Sequence, residues 1–235
     1  MWNILDTGIQ TAKENMEFDK ELLESMLPNS APTLHLYDWQ RESATYGYFI
    51  KPEQFLDRAK AVKVGLDLAR RPTGGGIVFH TFDLAFSVLV PADHPGCTDN
   101  TLENYAFVNN LVQEAIAPLL PEESQLLPQD PIPLDESSRN FCMAKPTIYD
   151  VMIKGRKIGG AAQRKKKQGY LHQGTISIIP PNLELLSEVL LPETRVLEAM
   201  QQNSFALLPK DHTAGDFLEM REIIKQQLTK VVKAL

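Results

Sequence analysis

Cysteine is scarce in this sequence: among 235 residues only Cys97 and Cys142 carry a thiol. A small fold held together by cross-links is therefore excluded. With no secretory context, two free thiols in a reducing cytoplasm are the better reading than one disulfide. Long apolar runs are missing as well, and no stretch of the length that crosses a bilayer occurs. Met1 to Asn15 carries charges and no apolar run, unlike a secretory signal. Positive charge is in deficit, with 24 Lys and Arg against 30 Asp and Glu, a formal net charge of −6. That disfavours general nucleic-acid binding, which needs a basic face, but leaves room for a local basic patch. No residues show metal-ligand spacing, and Cys97, His35, His94 and His212 have no evident partners in the sequence.

The hydrophobic fraction of 43% and charged fraction of 23% are ordinary for a chain with a substantial core. No internal repeat and no hard domain boundary are visible, so residues 1–235 are expected to form one α+β domain. Residues 10–26 read as an amphipathic helix with Ala12, Met16, Leu22, Leu23 and Met26 as its apolar positions. Strands are expected at Thr33–Tyr37, Ala44–Phe49 and Ile77–Phe79, and most clearly at Leu84–Val90, where Leu84, Phe86, Val88 and Val90 share one face. Leu66–Ala69 is a short apolar run. Pro52–Val62 reads as a helix, and so does Asn100–Ile116, capped by Asn100 with Glu103 three residues on. Pro118, Pro121, Pro128, Pro131 and Pro133 make 118–140 an irregular stretch that delivers the chain to Cys142. Tyr149–Ile153, Lys157–Gln163 and Leu171–Ile179 read as a strand meander, with turns at Lys154-Gly155 and around Lys165–Gly169. Helices follow at Leu183–Val189, Glu193–Gln201 and from Asp216 onward.

Four groups of residues suggest chemistry. Arg70-Arg71-Pro72-Thr73-Gly74-Gly75-Gly76 precedes Ile77 to His80. Three successive glycines let a ligand approach the backbone N–H groups, and paired arginines supply forked donors for a carboxylate or phosphate. The plainer reading is a flexible turn with surface arginines. In Gly155 to Gln163, the small residues Gly159, Gly160, Ala161 and Ala162 suit a strand face kept open for a ligand, beside Lys157, a cation able to stabilise an oxyanion. The plainer reading is an exposed hairpin lysine. Cys142, with Arg139 and Lys145 nearby, is either a nucleophile or a small buried hydrophobe. Arg164-Lys165-Lys166-Lys167, near His172, forms a positive run that either steers an acidic partner or is a solvated turn.

In order and spacing these segments resemble the family of lipoate–protein ligases and lipoyl or octanoyl transferases, relatives of biotin–protein ligases. The resemblance rests on Asn15 to Asp19, Pro32 to Trp39, Tyr46 to Phe49, Arg70 to His80 (RRPTGGGIVFH), Cys142 to Asp150 (CMAKPTIYD) and Gly155 to Ser177. It implies a central, mostly antiparallel sheet flanked by helices, of the class II synthetase type, without a C-terminal accessory domain. It also implies an acyl and adenylate pocket built from Arg70, Arg71, Thr73, Gly74, Gly75, Gly76, His80, Tyr149, Asp150, Gly159, Gly160, Ala161, Gln163, His172, Gly174 and Thr175, with Lys157 at the acyl carbonyl. Two mechanisms occur in such a family. A transferase takes an octanoyl group from acyl carrier protein as a thioester on cysteine, without a cofactor. A ligase activates lipoate with ATP and Mg2+. The segment from Cys142 through Pro146 and Tyr149 resembles the transferases, whereas Gly76 resembles the ligases. Cys142-mediated octanoyl transfer is the expected activity, and ATP-dependent lipoate ligation is the alternative. A non-catalytic carrier-binding module would retain the basic run without the chemistry. Biotin ligation fits less well, because Thr73 to Gly76 lacks that family's arginine-rich loop with alternating glycines. The implied acceptors are acidic lipoyl domains or the glycine-cleavage H protein, docking on Arg164 to Lys167. No membrane and no nucleic acid is expected as partner.

Overall fold

The alternation of Leu84, Phe86, Val88 and Val90 with Ala85, Ser87 and Leu89 makes a strand with two different faces, and the rest of the molecule is built on both. In the computed structural model, which describes residues 1–120, 122–192 and 194–235, the elements follow in chain order. They are β1 (Asn3–Gln10), α1 (Ala12–Ser25), β2 (Thr33–Trp39), β3 (Ser43–Tyr46), α2 (Arg58–Lys63), β4 (Asp67–Arg70), β5 (Ile77–His80), β6 (Asp83–Pro91) and α3 (Thr101–Ile116). After them come β7 (Gln125–Leu126), β8 (Val151–Ile153), β9 (Arg156–Lys166), β10 (Gly169–Ser177), α4 (Leu183–Val189), α5 (Val196–Asn203) and α6 (Ala214–Lys233).

Seven strands form the main sheet in the order β1-β2-β6-β10-β9-β8-β7, antiparallel except for the β1–β2 pair. A second, three-stranded sheet, β4-β3-β5, goes beyond the single sheet expected from sequence. On one face of the main sheet, Leu84, Phe86, Val88 and Val90 pack with Tyr170, Ile176 and Ile158 against Val108, Val112 and Ile116 of α3 and Ile224 and Leu228 of α6. Full burial of one such side chain stabilises by about 1.5–3 kcal/mol. The opposite face carries smaller residues. Register sets Thr175 beside Ala85 and Gly160, and Gln173 beside Ser87 and Ala162, leaving space above the sheet.

Several boundaries differ from the sequence reading for local reasons. The expected strand to Phe49 stops at Tyr46, because Gly47 abuts the backbone of Gly74 and Gly75. The expected helix at 52–62 divides into a 3-10 turn, Pro52–Gln54, and α2, whose start is fixed by the Asp57 carboxylate accepting from Lys60 N–H. The turn expected across Lys165–Gly169 narrows to Lys167-Gln168, so Lys165 and Lys166 belong to β9. α5 runs from Val196 rather than 193; Glu193, like Pro121, lies outside the described residues. α6 starts at Ala214 behind a capping box of Thr213 and Asp216.

Candidate functional site

Lys157 owes its placement to an irregularity. Between β8 and β9, Val151 pairs with Gly159 but Met152 pairs with Lys157, so Ile158 is one residue too many. Such a bulge breaks the alternation of faces. Ile158 turns into the core against α3, while Lys157 and Gly160, three residues apart, come to share the opposite face. Gly160 must lack a side chain, since a Cβ there would overlap Lys157 Cε and Nζ. The Lys157 side chain folds over this bare strand and is 1% exposed.

Its ammonium meets three groups. Nζ lies 2.7 Å from Asp150 Oδ2, donates to the Cys142 carbonyl oxygen at 2.9 Å, and lies 3.3 Å from Cys142 Sγ. Asp150 is locked by the Thr147 N–H at 2.6 Å and hydroxyl at 2.9 Å. Tyr149, in the left-handed region at φ 67°, turns its carbonyl to Asn109 Nδ2 of α3 at 2.7 Å. Burial raises the Asp150 carboxyl above the usual carboxylate range. Burial also opposes the Lys157 charge, but the Asp150 and Cys142 groups facing it outweigh that and hold the amine above its ordinary value. These effects pull oppositely on one proton; the 2.7 Å contact favours the ion pair, with the proton on lysine.

Cys142 reaches this cation from the other side. Its N–H donates to the Ile77 carbonyl at 2.9 Å, which ties the incoming loop to β5 just after the triple glycine. Gly76 lies so close to the Asn140 carbonyl that a Cβ would collide with it, and Gly75 has φ +80°. Gly74 has open space around it. The loop is held from within by Arg71, which donates to the carbonyls of Gly74 at 3.1 Å and Gly76 at 2.7 Å, and to the Thr45 carbonyl and hydroxyl at 2.9 and 2.8 Å. Its fork is thus committed to protein carbonyls rather than held out to a ligand. Burial lowers the Arg71 guanidinium from its ordinary value, an effect that the nearby Cys142 opposes.

These parts enclose a cavity of about 150 Å³ between the two sheets. Apolar cavities of roughly this size admit a benzene-sized group. Cys142, Lys157, Gly75, Gly76, Gly160, Ala161, Gly174 and Thr175 line it together with Arg71 and His80. Two buried chains of hydrogen bonds stiffen the walls. In one, His80 stands between the Thr45 hydroxyl at 2.8 Å and Asp83 at 2.6 Å, stacked on Trp39, while Thr175 donates to the same Asp83 oxygen. Burial opposes ionisation of Asp83, yet His80 and Thr175 outweigh it and leave the carboxyl below its ordinary value. In the other, Gln173 accepts from the Thr73 hydroxyl at 2.7 Å and donates to Asp19 at 2.6 Å; Asp19 in turn holds Ser87 and His35.

Other expected site residues lie elsewhere. Gln163 and His172 bond to each other at 2.8 Å on the α3 face, with the His172 ring beside Tyr105 and Phe86, away from the cavity. The reason is strand parity: Thr175 faces the cavity, so Gln173 does too and His172 does not. Gly159 faces Val112 of α3. Thr73, Gly74, Tyr149 and Asp150 support the wall without lining it, and Arg70 lies in a neighbouring surface groove. Arg164 to Lys167 is not a free basic tip. Arg164 donates to the Pro72 carbonyl, Lys165 pairs with Asp99 at 2.8 Å, Lys166 lies 3.5 Å from Glu24, and Lys167 is exposed. Met16, Tyr37, Thr45, Phe141 and Gln173 also wall the cavity, beyond the residues expected from sequence. Gln173 was accessible through its two-residue spacing from Thr175; nothing local marked Tyr37 or Thr45. Among the described residues no cluster of three or more metal-binding side chains occurs.

The chain matches the family described as Lipoyl protein ligase A/B catalytic domain over residues 11–211. It is 30% identical over 207 residues to octanoyltransferase LipM of Anoxybacillus flavithermus, covering 86% of this chain and 74% of that one. It is 31% identical over 186 residues to octanoyltransferase LipM of Staphylococcus aureus, covering 74% of this chain and 65% of that one. In fold it resembles a bi-partite lipoate protein ligase of Thermoplasma acidophilum, with a TM-score of 0.71 at 22% identity, over 99% of this chain and 84% of the other.

Proposed function

The chain belongs to the lipoyl protein ligase A/B catalytic-domain family, and from that premise we propose that it transfers an octanoyl group through Cys142 to a lysine of a lipoyl domain or H protein. The observation that carries the reading is the Lys157 ammonium 3.3 Å from the Cys142 sulfur in the cavity between the two sheets. The names of the relatives, octanoyltransferases, point the same way.

In the first step the Cys142 sulfur attacks the carbonyl carbon of a carrier thioester. The Lys157 ammonium, fixed by Asp150, lies where negative charge develops in the tetrahedral adduct. Collapse breaks the bond to the carrier sulfur, which leaves as a thiol with the proton Cys142 gave up. In the second step the acceptor's neutral amine attacks the acyl-cysteine, the C–S bond breaks, an amide remains, and the amine's proton returns to Cys142. The acyl chain gains about 0.8 kcal/mol for each methylene it buries. We take residues 1–235 to act as one catalytic unit, without a cofactor. Two free thiols fit a reducing compartment, and we take that to be the cytoplasm.

Incubation with octanoyl carrier protein and an unmodified lipoyl domain, without ATP, tests the reading. The wild-type chain should octanoylate the domain, and Cys142→Ala should lose the activity by a factor of about 10³ or more. Modification that requires ATP and lipoate, releases pyrophosphate and survives in Cys142→Ala would replace transfer with ligation.

A further inference from the structure

Beside the cavity runs a groove walled by Tyr48, Arg70, Arg164 and, from α1, Lys13, Glu17, Lys20 and Glu24. Met16 and Arg71 belong to both walls, so the groove leads toward Cys142. The Arg70 guanidinium lies 4.8 Å and that of Arg164 5.2 Å from the Tyr48 ring centre. The lysines have carboxylate neighbours, Glu17 at 3.7 Å and Glu24 at 4.0 Å. The arginines have none within ion-pair distance: among the described residues, arginine ion pairs form at Arg139, Arg195 and Arg221, and Arg164 spends one nitrogen on the Pro72 carbonyl at 2.9 Å. Glu17 and Glu24 are paired with the α1 lysines, so the two guanidinium groups drawn to one aromatic ring without an ion pair of their own repel each other, and an anion bound at the pair would offset that. Their forked donors match phosphate oxygens.

Where the phosphate must sit decides which ligand fits. In an acyl-adenylate the phosphorus is joined through one oxygen to the acyl carbon, so its charge would lie inside the cavity beside Lys157. In a pantetheine thioester the phosphate lies at the far end of a long arm, outside the cavity when the thioester is at Cys142. We propose that this groove binds the phosphate of a phosphopantetheine arm, with Arg70 and Arg164 as its ligands and Tyr48 as the surface that holds them. The proposal rests on the transfer reaction set out above and assigns the donor's recognition site.

The experiment compares Cys142 acylation by octanoyl-pantetheine, octanoyl-phosphopantetheine and octanoyl carrier protein, using the full chain and reading intact mass against donor concentration. Wild type should reach half-maximal rate at a roughly tenfold lower concentration of the phosphorylated free donor than of the unphosphorylated one. In Arg70→Gln/Arg164→Gln that ratio should fall to about one. Because each ratio is taken within one protein, partial loss of folded enzyme cancels. A wild-type ratio near one overturns the proposal, and so does a ratio that persists in the double variant. If the variant is impaired only with the carrier-bound donor, the groove reads the carrier's protein surface and the phosphate assignment fails. Failure of every thioester to acylate Cys142 would instead remove the transfer reaction, and this proposal with it.

Discussion

Lys157 and Asp150 are both buried and 2.7 Å apart, so each is the other's main compensation for lost water. Removing one partner of such a pair costs about 3–5 kcal/mol, while replacing both costs far less. Lys157→Met should therefore unfold at markedly lower denaturant, and Lys157→Met/Asp150→Asn should recover most of that stability. Neither should regain transfer, which should fall by roughly 10²–10³ as for loss of an oxyanion donor. Recovery of activity in the double variant would show that the charge at 157 is structural only. His172 offers a separate test. Burial lowers its imidazole to about 3, against about 6.5 in an unfolded chain. The unfolded chain thus takes up the proton first as pH falls. The stability gained by keeping His172 neutral is complete above about pH 6.5 and is lost progressively toward about 3. Urea unfolding at pH 7.5 and pH 5 should show an acid loss of about 1–2 kcal/mol that shrinks in His172→Asn; an equal loss in both proteins would assign it to other groups.

At the scale of elements, the glycine loop and the loop bearing Cys142 are one assembly, joined where Gly76 meets the Asn140 carbonyl and where Cys142 N–H meets Ile77. Gly76→Ala should displace the Cys142 loop, costing stability by about 1–3 kcal/mol and most of the acylation rate. Gly74→Ala, with open space around the new Cβ, should be close to wild type. Equal behaviour of the two in acylation kinetics would contradict the proposed contact. The same region shows what could be read from sequence. β6 and the β9–β10 hairpin were legible because alternation and turn residues agree over many positions. β1 was not, since its NILDTGIQ carries a register shift between Asp6 and Ile9 and a glycine at φ +67°, which blur the two-residue period. The triple glycine, Lys157 and Cys142 stood out by residue type. That Lys157 and Gly160 share a face could not be read, because strict alternation puts residues three apart on opposite sides and only the unpaired Ile158 reverses that. His172 and Gln163, which the family resemblance puts in the site, neighbour cavity residues in sequence but face the other layer in space.

Across the whole molecule, the large sheet supplies a rigid floor with α3 and α6 packed beneath it, and the small sheet supplies the roof, so the reacting groups are held by several distant segments. Such preorganisation costs little reorganisation when charge develops. Among the described residues no helix is long and apolar enough to cross a membrane, and the chain is acidic overall at −6. The acidic carrier proposed as donor would approach a local positive surface; the proposed Arg70–Arg164 groove beside the cavity is one, and salt should then weaken encounter. The most direct measurement of the chemistry omits the acceptor. Intact-mass analysis of the chain after mixing with octanoyl carrier protein should reveal one octanoyl adduct, mapped to Cys142 and released on addition of a lipoyl domain. An adduct on another residue, or acceptor modification that proceeds while Cys142 stays unacylated, would contradict thiol-mediated transfer.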